Sequence, residues 1–171
     1  QKTYVITCAT GQLGNAICEK LARDGHNLIL IGRSEKKLKT LAHHLSDSSK
    51  KHKFIAVDFL DKEKIKRLNF ETLPKIDGIV LITPRPQFIH PLPNNDQWQQ
   101  MFEMCFTTPL EILKKCIPNF SEQASVVILS GTTSVESMPE YASYGVLRTM
   151  WLGEAKSLTY YLGPKGIRVN T

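Results

Sequence analysis

An α/β fold, a doubly wound parallel sheet with helices on both faces in three layers, is what this chain predicts, and two observations carry the prediction. Short β-branched runs alternate with helical patterns along the whole length, without a linker or low-complexity stretch between them. The runs are nearly all apolar, as strands buried on both faces are. Right-handed crossovers then place the helices on both sides of the sheet and any ligand at the carboxyl ends of the strands, where strand order reverses.

The strands are expected at 3–7, 27–31, 54–57, 78–82, 126–129 and 167–170. After the first of them, Leu13, Ile17 and Leu21 recur every fourth residue and predict the apolar stripe of a helix. Ser34 is placed to cap a second helix, whose stripe is Leu38, Leu41, Ala42 and Leu45. Asp61 caps a short third helix near 62–68, which leaves Asp58, just past the third strand, free for a ligand. A long helix is expected from about 96 to 117. A second, from about 140 to 162, carries a stripe of Tyr144, Leu147, Trp151, Ala155, Leu158 and Leu162.

A length of 171 residues, 42% apolar and 22% charged, fits one globular domain, 1–171, able to bury a full core. The net charge of +6 does not predict a nucleic-acid groove, because the basic residues are spread over helices and turns and are not interleaved with aromatics. The densest basic run, Lys50-Lys51-His52-Lys53, reads as a solvated turn. Cys8, Cys18, Cys105 and Cys116 form no C-x-x-C pair and sit in apolar segments. They read as buried small hydrophobes, with neither a metal site nor a disulfide framework, in a reducing, cytoplasmic compartment. No run approaches the ~18 apolar residues of a membrane span. The chain begins at Gln1 and ends one residue after Asn170, so it reads as part of a longer protein.

Three local patterns carry chemistry. Tyr144 and Arg148 lie one helical turn apart on one face, so the cation can steady the charge a phenol takes on when it gives up its proton, and can hold a sugar hydroxyl nearby. The turn Thr7-Cys8-Ala9-Thr10-Gly11-Gln12-Leu13-Gly14 joins a strand to a helix. Its glycines let backbone approach a pyrophosphate, and Gly14 also permits close packing of helix on sheet. At the end of the second strand, Gly32-Arg33-Ser34 stands where NAD-binding Rossmann proteins carry an acid for the ribose 2′-hydroxyl. Repulsion toward a 2′-phosphate is removed and a guanidinium added, so NADP is favoured over NAD. Asp58, followed by Phe59, can accept from an adenine amino group.

With these residues in place the chain resembles the short-chain dehydrogenase/reductases over its whole length. Tyr144 to Asn170 has the spacing of that family's tyrosine to the asparagine of its I-R-V-N segment, here Ile167-Arg168-Val169-Asn170. Its T-G-x-x-x-G-x-G turn falls on 7–14, with Cys8 and Gln12 at two glycine positions. Its N-N-A-G is Leu81-Ile82-Thr83-Pro84, its helix asparagine is Cys105, its serine is Gly131 and its Y-x-x-x-K runs from Tyr144 to Arg148. The resemblance implies a Rossmann-like fold and hydride transfer between a nicotinamide cofactor and a carbonyl or alcohol substrate. Cofactor contacts are implied for Thr7, Ala9, Thr10, Gly11, Gln12, Leu13, Gly14, Arg33, Ser34, Asp58, Phe59, Thr83, Pro84, Tyr144 and Arg148. It further implies Tyr144 as proton donor beside Arg148, with the hydroxyls of Ser130 or Thr132 polarising the carbonyl in place of the missing serine. Homodimers or homotetramers through the two long helices follow, and the family's C-terminal part is expected beyond residue 171.

The altered positions leave a second reading open, a catalytically impaired NADP-binding relative acting as a sensor or partner subunit. Tyr141, seven residues before Arg148, matches the spacing of the enoyl-acyl-carrier-protein reductase branch and is the competing donor. Arg148→Lys is expected to keep or raise the rate, because guanidinium does not relay protons.

Overall fold

The computed structural model describes residues 1–46, 52–86, 90–139 and 141–171. Its order is β1 (Thr3–Ile6), α1 (Gln12–Arg23), β2 (Asn27–Gly32), α2 (Glu35–Leu45), β3 (Lys53–Ala56), α3 (Lys62–Arg67), β4 (Ile76–Leu81), α4 (Asn95–Phe102), α5 (Thr108–Cys116), β5 (Phe120–Ile128), α6 (Ala142–Leu162) and β6 (Arg168–Asn170). The six strands form one sheet in the order β3-β2-β1-β4-β5-β6, and every pairing is parallel. The order reverses between β1 and β4, which is where a doubly wound sheet opens its ligand crevice.

The pleat sorts the strand residues onto two cores. Val5, Ile29 and Ile31 point into a core shared with Ile112 and Leu113 of α5 and Trp151 and Leu158 of α6. Their neighbours Ile6, Leu28 and Leu30 point the other way, onto Cys18 of α1 and Leu38 of α2. Burial on both faces explains why these strands read as continuous apolar runs. Lys50 and Lys51 of the basic run lie outside the described residues. His52 bridges two elements instead, its Nδ1 accepting from the Leu28 N–H at 3.2 Å and its Nε2 3.0 Å from the Leu45 carbonyl.

Two helices differ from expectation. In α1 the buried residues are Gly14, Cys18 and Ala22, one position on from the expected stripe, and Leu13 is 60% exposed. Small side chains face the sheet so that the helix can lie close to it. The long helix of 96–117 is interrupted by a π-helical turn at Glu103–Thr107 between α4 and α5. Pro109 accounts for the break, since it has no N–H to give the carbonyl four residues back and its ring crowds that oxygen. The freed carbonyl is that of Cys105, and the Trp151 indole N–H donates to it at 2.9 Å.

This bond ties α6 to the interruption, and its removal has a cost. Trp151→Phe keeps an aromatic ring beside Phe106, now 4.9 Å from the indole, but leaves the Cys105 carbonyl without its donor. The expected destabilisation is about 1–3 kcal/mol, read as a lower urea midpoint. An unchanged midpoint would show that the indole bond contributes nothing.

Candidate active site

The turn after β1 is assembled from strand-end hydrogen bonds. Thr7 Oγ1 donates to the Ile82 carbonyl at 2.8 Å and accepts the Ile82 N–H at 2.7 Å, while the Ala9 N–H donates to Ile31 at 3.0 Å. Both residues are fully buried. The Thr7 hydroxyl and the Ala9 N–H thus fasten the ends of β1, β2 and β4 to one another, and neither residue lines the cleft in front of this turn. Cys8 has φ +48°, the left-handed region that favours glycine. Its carbonyl accepts the Gly11 N–H at 2.9 Å, and burial pushes its thiol up to about 12. A Cβ on Gly14 would lie 2.3 Å from that same carbonyl oxygen, so the packing role expected of this glycine has a direct steric cause.

The N-terminus of α1 begins at Gly11 with no side-chain cap, and no acidic residue sits in its first turn. Its N–H groups and the positive end of the helix are therefore available to an anion. Gln12 and Leu13 lie exposed on this tip. In front of it opens a cleft of about 350 Å³ at the carboxyl ends of the strands, bordered by Cys8, Thr10, Gly11, Gly32, Arg33, Asp58, Phe59 and Pro84. Asp58 turns one carboxylate oxygen onto the Leu60 N–H at 3.0 Å, which leaves its other oxygen for a ligand. Ser34 caps α2 by accepting from the Lys37 N–H at 3.4 Å and does not border the cleft. Asp61 caps α3, accepting from Lys64 N–H at 3.0 Å.

Sequence reasoning missed the opposite wall. Leu60, Arg85, Pro86, Gln100, Met101 and Met104 complete the cleft. Gln100, Met101 and Met104 recur at helical spacing on α4 and the turn after it, and Arg85 directly follows Thr83-Pro84. Those were the available signals. The uncapped α1 terminus at the mouth of this cleft fits the pyrophosphate of a dinucleotide.

The tyrosine lies beyond Pro84. Tyr144, 3% exposed, packs with Met101, Cys105 and Leu147. The Arg148 Nη2 donates to its Oη at 3.0 Å, and the guanidinium carbon stands 4.7 Å from its ring centroid. Thr83 Oγ1 is 3.4 Å from the same phenol oxygen. Neither Tyr144 nor Arg148 borders the cleft; Thr83 and Pro84 connect the two, one on the phenol and the other in the cleft wall. Tyr141 lies instead beneath Arg85, whose guanidinium carbon is 5.4 Å from its ring centroid. Arg148 thus reaches the phenol of Tyr144 and not that of Tyr141.

Two other expected groups, Ser130 and Thr132, flank Gly131 in the chain. Ser130 Oγ is buried with no partner among the described residues, while Thr132 is exposed at the head of a 3-10 turn, Thr132–Ser134. Cys105 donates its thiol to the Pro84 carbonyl at 3.3 Å. Burial pushes that thiol up to about 12, with Cys8 adding to the shift and Arg148 opposing it. All four cysteines are free thiols; three are buried, as expected, but Cys8 is half-buried and borders the cleft. Among the described residues there is no group of three or more potential metal ligands, and no helix is long and apolar enough to cross a membrane.

The model of the short chain dehydrogenase family matches residues 2–171. The chain is 27% identical to dehydrogenase/reductase SDR family member 4 of Caenorhabditis elegans, over 99% of this chain and 68% of that protein. It is also 27% identical to the 3-oxoacyl-[acyl-carrier-protein] reductase FabG of Rickettsia felis, over 99% of this chain and 70% of the relative. It therefore spans about two thirds of the length of these relatives. Among solved structures, a 3-oxoacyl-[acyl-carrier protein] reductase with bound NAD from Brucella melitensis superposes with a TM-score of 0.86 at 19% identity, covering 99% of this chain and 69% of that one. At that identity the likeness shows the fold. A doubly wound sheet with an uncapped helix terminus at its switch point, a tyrosine one turn before a cation and a family match over nearly every residue agree: the chain belongs to the short-chain dehydrogenase family of NAD(P)-dependent oxidoreductases.

Proposed function

We propose that this protein is an NADP-dependent oxidoreductase interconverting a small carbonyl compound and its alcohol, with Tyr144 as the proton donor. The observation that carries the proposal is the 3.0 Å bond from Arg148 to the Tyr144 phenol, set beside a crevice suited to a dinucleotide. In that crevice the α1 N–H groups would hold the pyrophosphate, Arg33 the 2′-phosphate, and the free oxygen of Asp58 the adenine amino group. When bound, the nicotinamide supplies or accepts hydride.

The chain's own part is proton management. Tyr144 gives its proton to the carbonyl oxygen, and the fixed charge of Arg148 stabilises the phenolate left behind. Arginine keeps its proton, so it cannot refill the tyrosine. The Thr83 hydroxyl, 3.4 Å away, offers the entry route instead.

Free thiols at Cys8, Cys18, Cys105 and Cys116 suit a reducing, cytoplasmic setting. Exposed Phe102, at 39%, and Val146, at 53%, on α4 and α6 support self-association through these helices into a homodimer or homotetramer. The 171 residues are taken as one nucleotide-binding domain.

Arg33 sets the nucleotide preference in this account. Fluorescence titration is expected to give tighter NADPH than NADH, and Arg33→Ala is expected to erase a contact of about 1.5–3 kcal/mol, roughly ten- to a hundredfold in NADPH affinity. NADH binding should change little. Equal affinities in the parent, or tighter NADH, would remove the assignment to NADP.

A further inference from the structure

Gly131 and Arg148 form one unit in space. At Gly131 the backbone is extended, with φ −171° and ψ 171°, a conformation open to every residue, so no conformational demand explains the glycine. Space does. A Cβ built there would lie 2.8 Å from Arg148 Nη1 and 3.5 Å from the guanidinium carbon. The other terminal nitrogen, Nη2, is on the Tyr144 phenol. The planar fork thus spans from the phenol to the position that a side chain at 131 would fill.

We propose that the Arg148 guanidinium, seated in the space vacated at Gly131, donates a hydrogen bond from Nη1 to the substrate's carbonyl oxygen while Nη2 holds the Tyr144 phenol. This rests on the oxidoreductase reading above. A carbonyl oxygen that takes its proton from Tyr144 must come within hydrogen-bond reach of the phenol, and one end of the fork is already there. As the carbon accepts hydride, the C–O π pair moves to oxygen and the proton comes from Tyr144. Arg148 transfers nothing; it offers a charged donor where negative charge develops. One residue thereby occupies the positions of two, and neither Ser130 nor Thr132 is needed to polarise the carbonyl.

The seating reverses the expectation for lysine at position 148. A lysine carries a point charge on a flexible stem, cannot present two parallel donors, and would leave the space at 131 empty. Conversely, a side chain at 131 meets the far end of a flexible arginine. It would displace the guanidinium from the phenol without breaking the fold.

The test is a double-mutant cycle on Gly131→Ser and Arg148→Lys, with two readouts. The first is thermal unfolding without nucleotide. Gly131→Ser is expected to lower Tm by about 2–4 °C in the parent, where it meets Arg148, and by less than about 1 °C in the Arg148→Lys background. Equal shifts in both backgrounds would overturn the seating. The second is NADPH-dependent carbonyl reduction at saturating nucleotide, where each single substitution is expected to cut kcat about tenfold or more, and the double variant to exceed both singles. If the parent turns over and either single variant is neutral, or the losses multiply, the donor role of Arg148 is overturned and the oxidoreductase reading survives. A parent that binds NADPH yet reduces no carbonyl overturns both the reading and the donor role.

Discussion

Tyr144→Phe is expected to lower kcat for carbonyl reduction by about a hundredfold to ten-thousandfold, the range that a positioned general acid contributes. The substitution removes one oxygen from a ring that is 3% exposed and packed among Met101, Cys105 and Leu147. The ring can stay where it is, and so can the guanidinium against its face. NADPH affinity should therefore remain within about threefold of the parent, since the loss falls on the transition state and not on ground-state binding. Steady-state rates at saturating nucleotide, with affinity read separately by fluorescence, check this. A rate that survives in the Phe variant would move the proton donor to another group, with Tyr141 under Arg85 the first candidate.

Gly14→Ala is expected to be the most damaging single-methyl change in the turn. The new carbon would stand 2.3 Å from the Cys8 carbonyl oxygen, 2.9 Å from the Ala9 Cα and 3.0 Å from the Cys8 carbonyl carbon, all of them backbone. None can rotate away, because Ala9 is bonded to the end of β2 and the Thr7 hydroxyl to the chain just after β4. Relief must come from lifting the first turn of α1 off the sheet. The cost lies at the upper end of the roughly 1–3 kcal/mol typical of overpacking, a Tm lower by about 6–12 °C. The same displacement tilts the helix N–H groups away from the pyrophosphate position, so NADPH binding should weaken with stability. A variant with the parent's Tm and affinity would mean that α1 is not held as closely as this packing requires.

The sheet was legible because inner strands buried on both faces must be nearly all apolar, as β1, β2 and β4 are, while the edge strands β3 and β6 are half-buried to exposed and were marked by their place in the alternation. The tip of α1 was less so. Hydrophobicity points to Leu13, Ile17 and Leu21, whereas close packing on a sheet selects Gly14, Cys18 and Ala22, and size cannot be weighed against distance without the backbone. The long helix was expected to run unbroken through Pro109, and the break there is a correction, although a proline inside a helical pattern was the available sign of it. That its freed carbonyl would meet Trp151, far along the chain, was not foreseeable. Thr7 and Ala9 follow the family's turn by position, but position in a turn does not tell which way a polar group faces, and both groups face neighbouring strands. Arg85 and the α4 wall escaped notice because they reach the cleft through tertiary contact alone. Gly131 and Arg148 read in the sequence as two separate departures from a family pattern; in the structure a Cβ at 131 would lie 2.8 Å from Arg148 Nη1, so the two positions bear on one another.

The central claim is that hydride passes between a nicotinamide held in this crevice and a carbonyl carbon whose oxygen receives its proton from Tyr144. The most direct measurement is mass spectrometry of the alcohol formed when the protein, NADPH deuterated at the hydride-bearing carbon and a panel of aldehydes and ketones are incubated together. The account predicts an alcohol heavier by one mass unit, labelled at the former carbonyl carbon, with the parent and essentially none with Tyr144→Phe. Nucleotide that binds while every carbonyl in the panel comes back unreduced, or label that appears equally with the Phe variant, would contradict it.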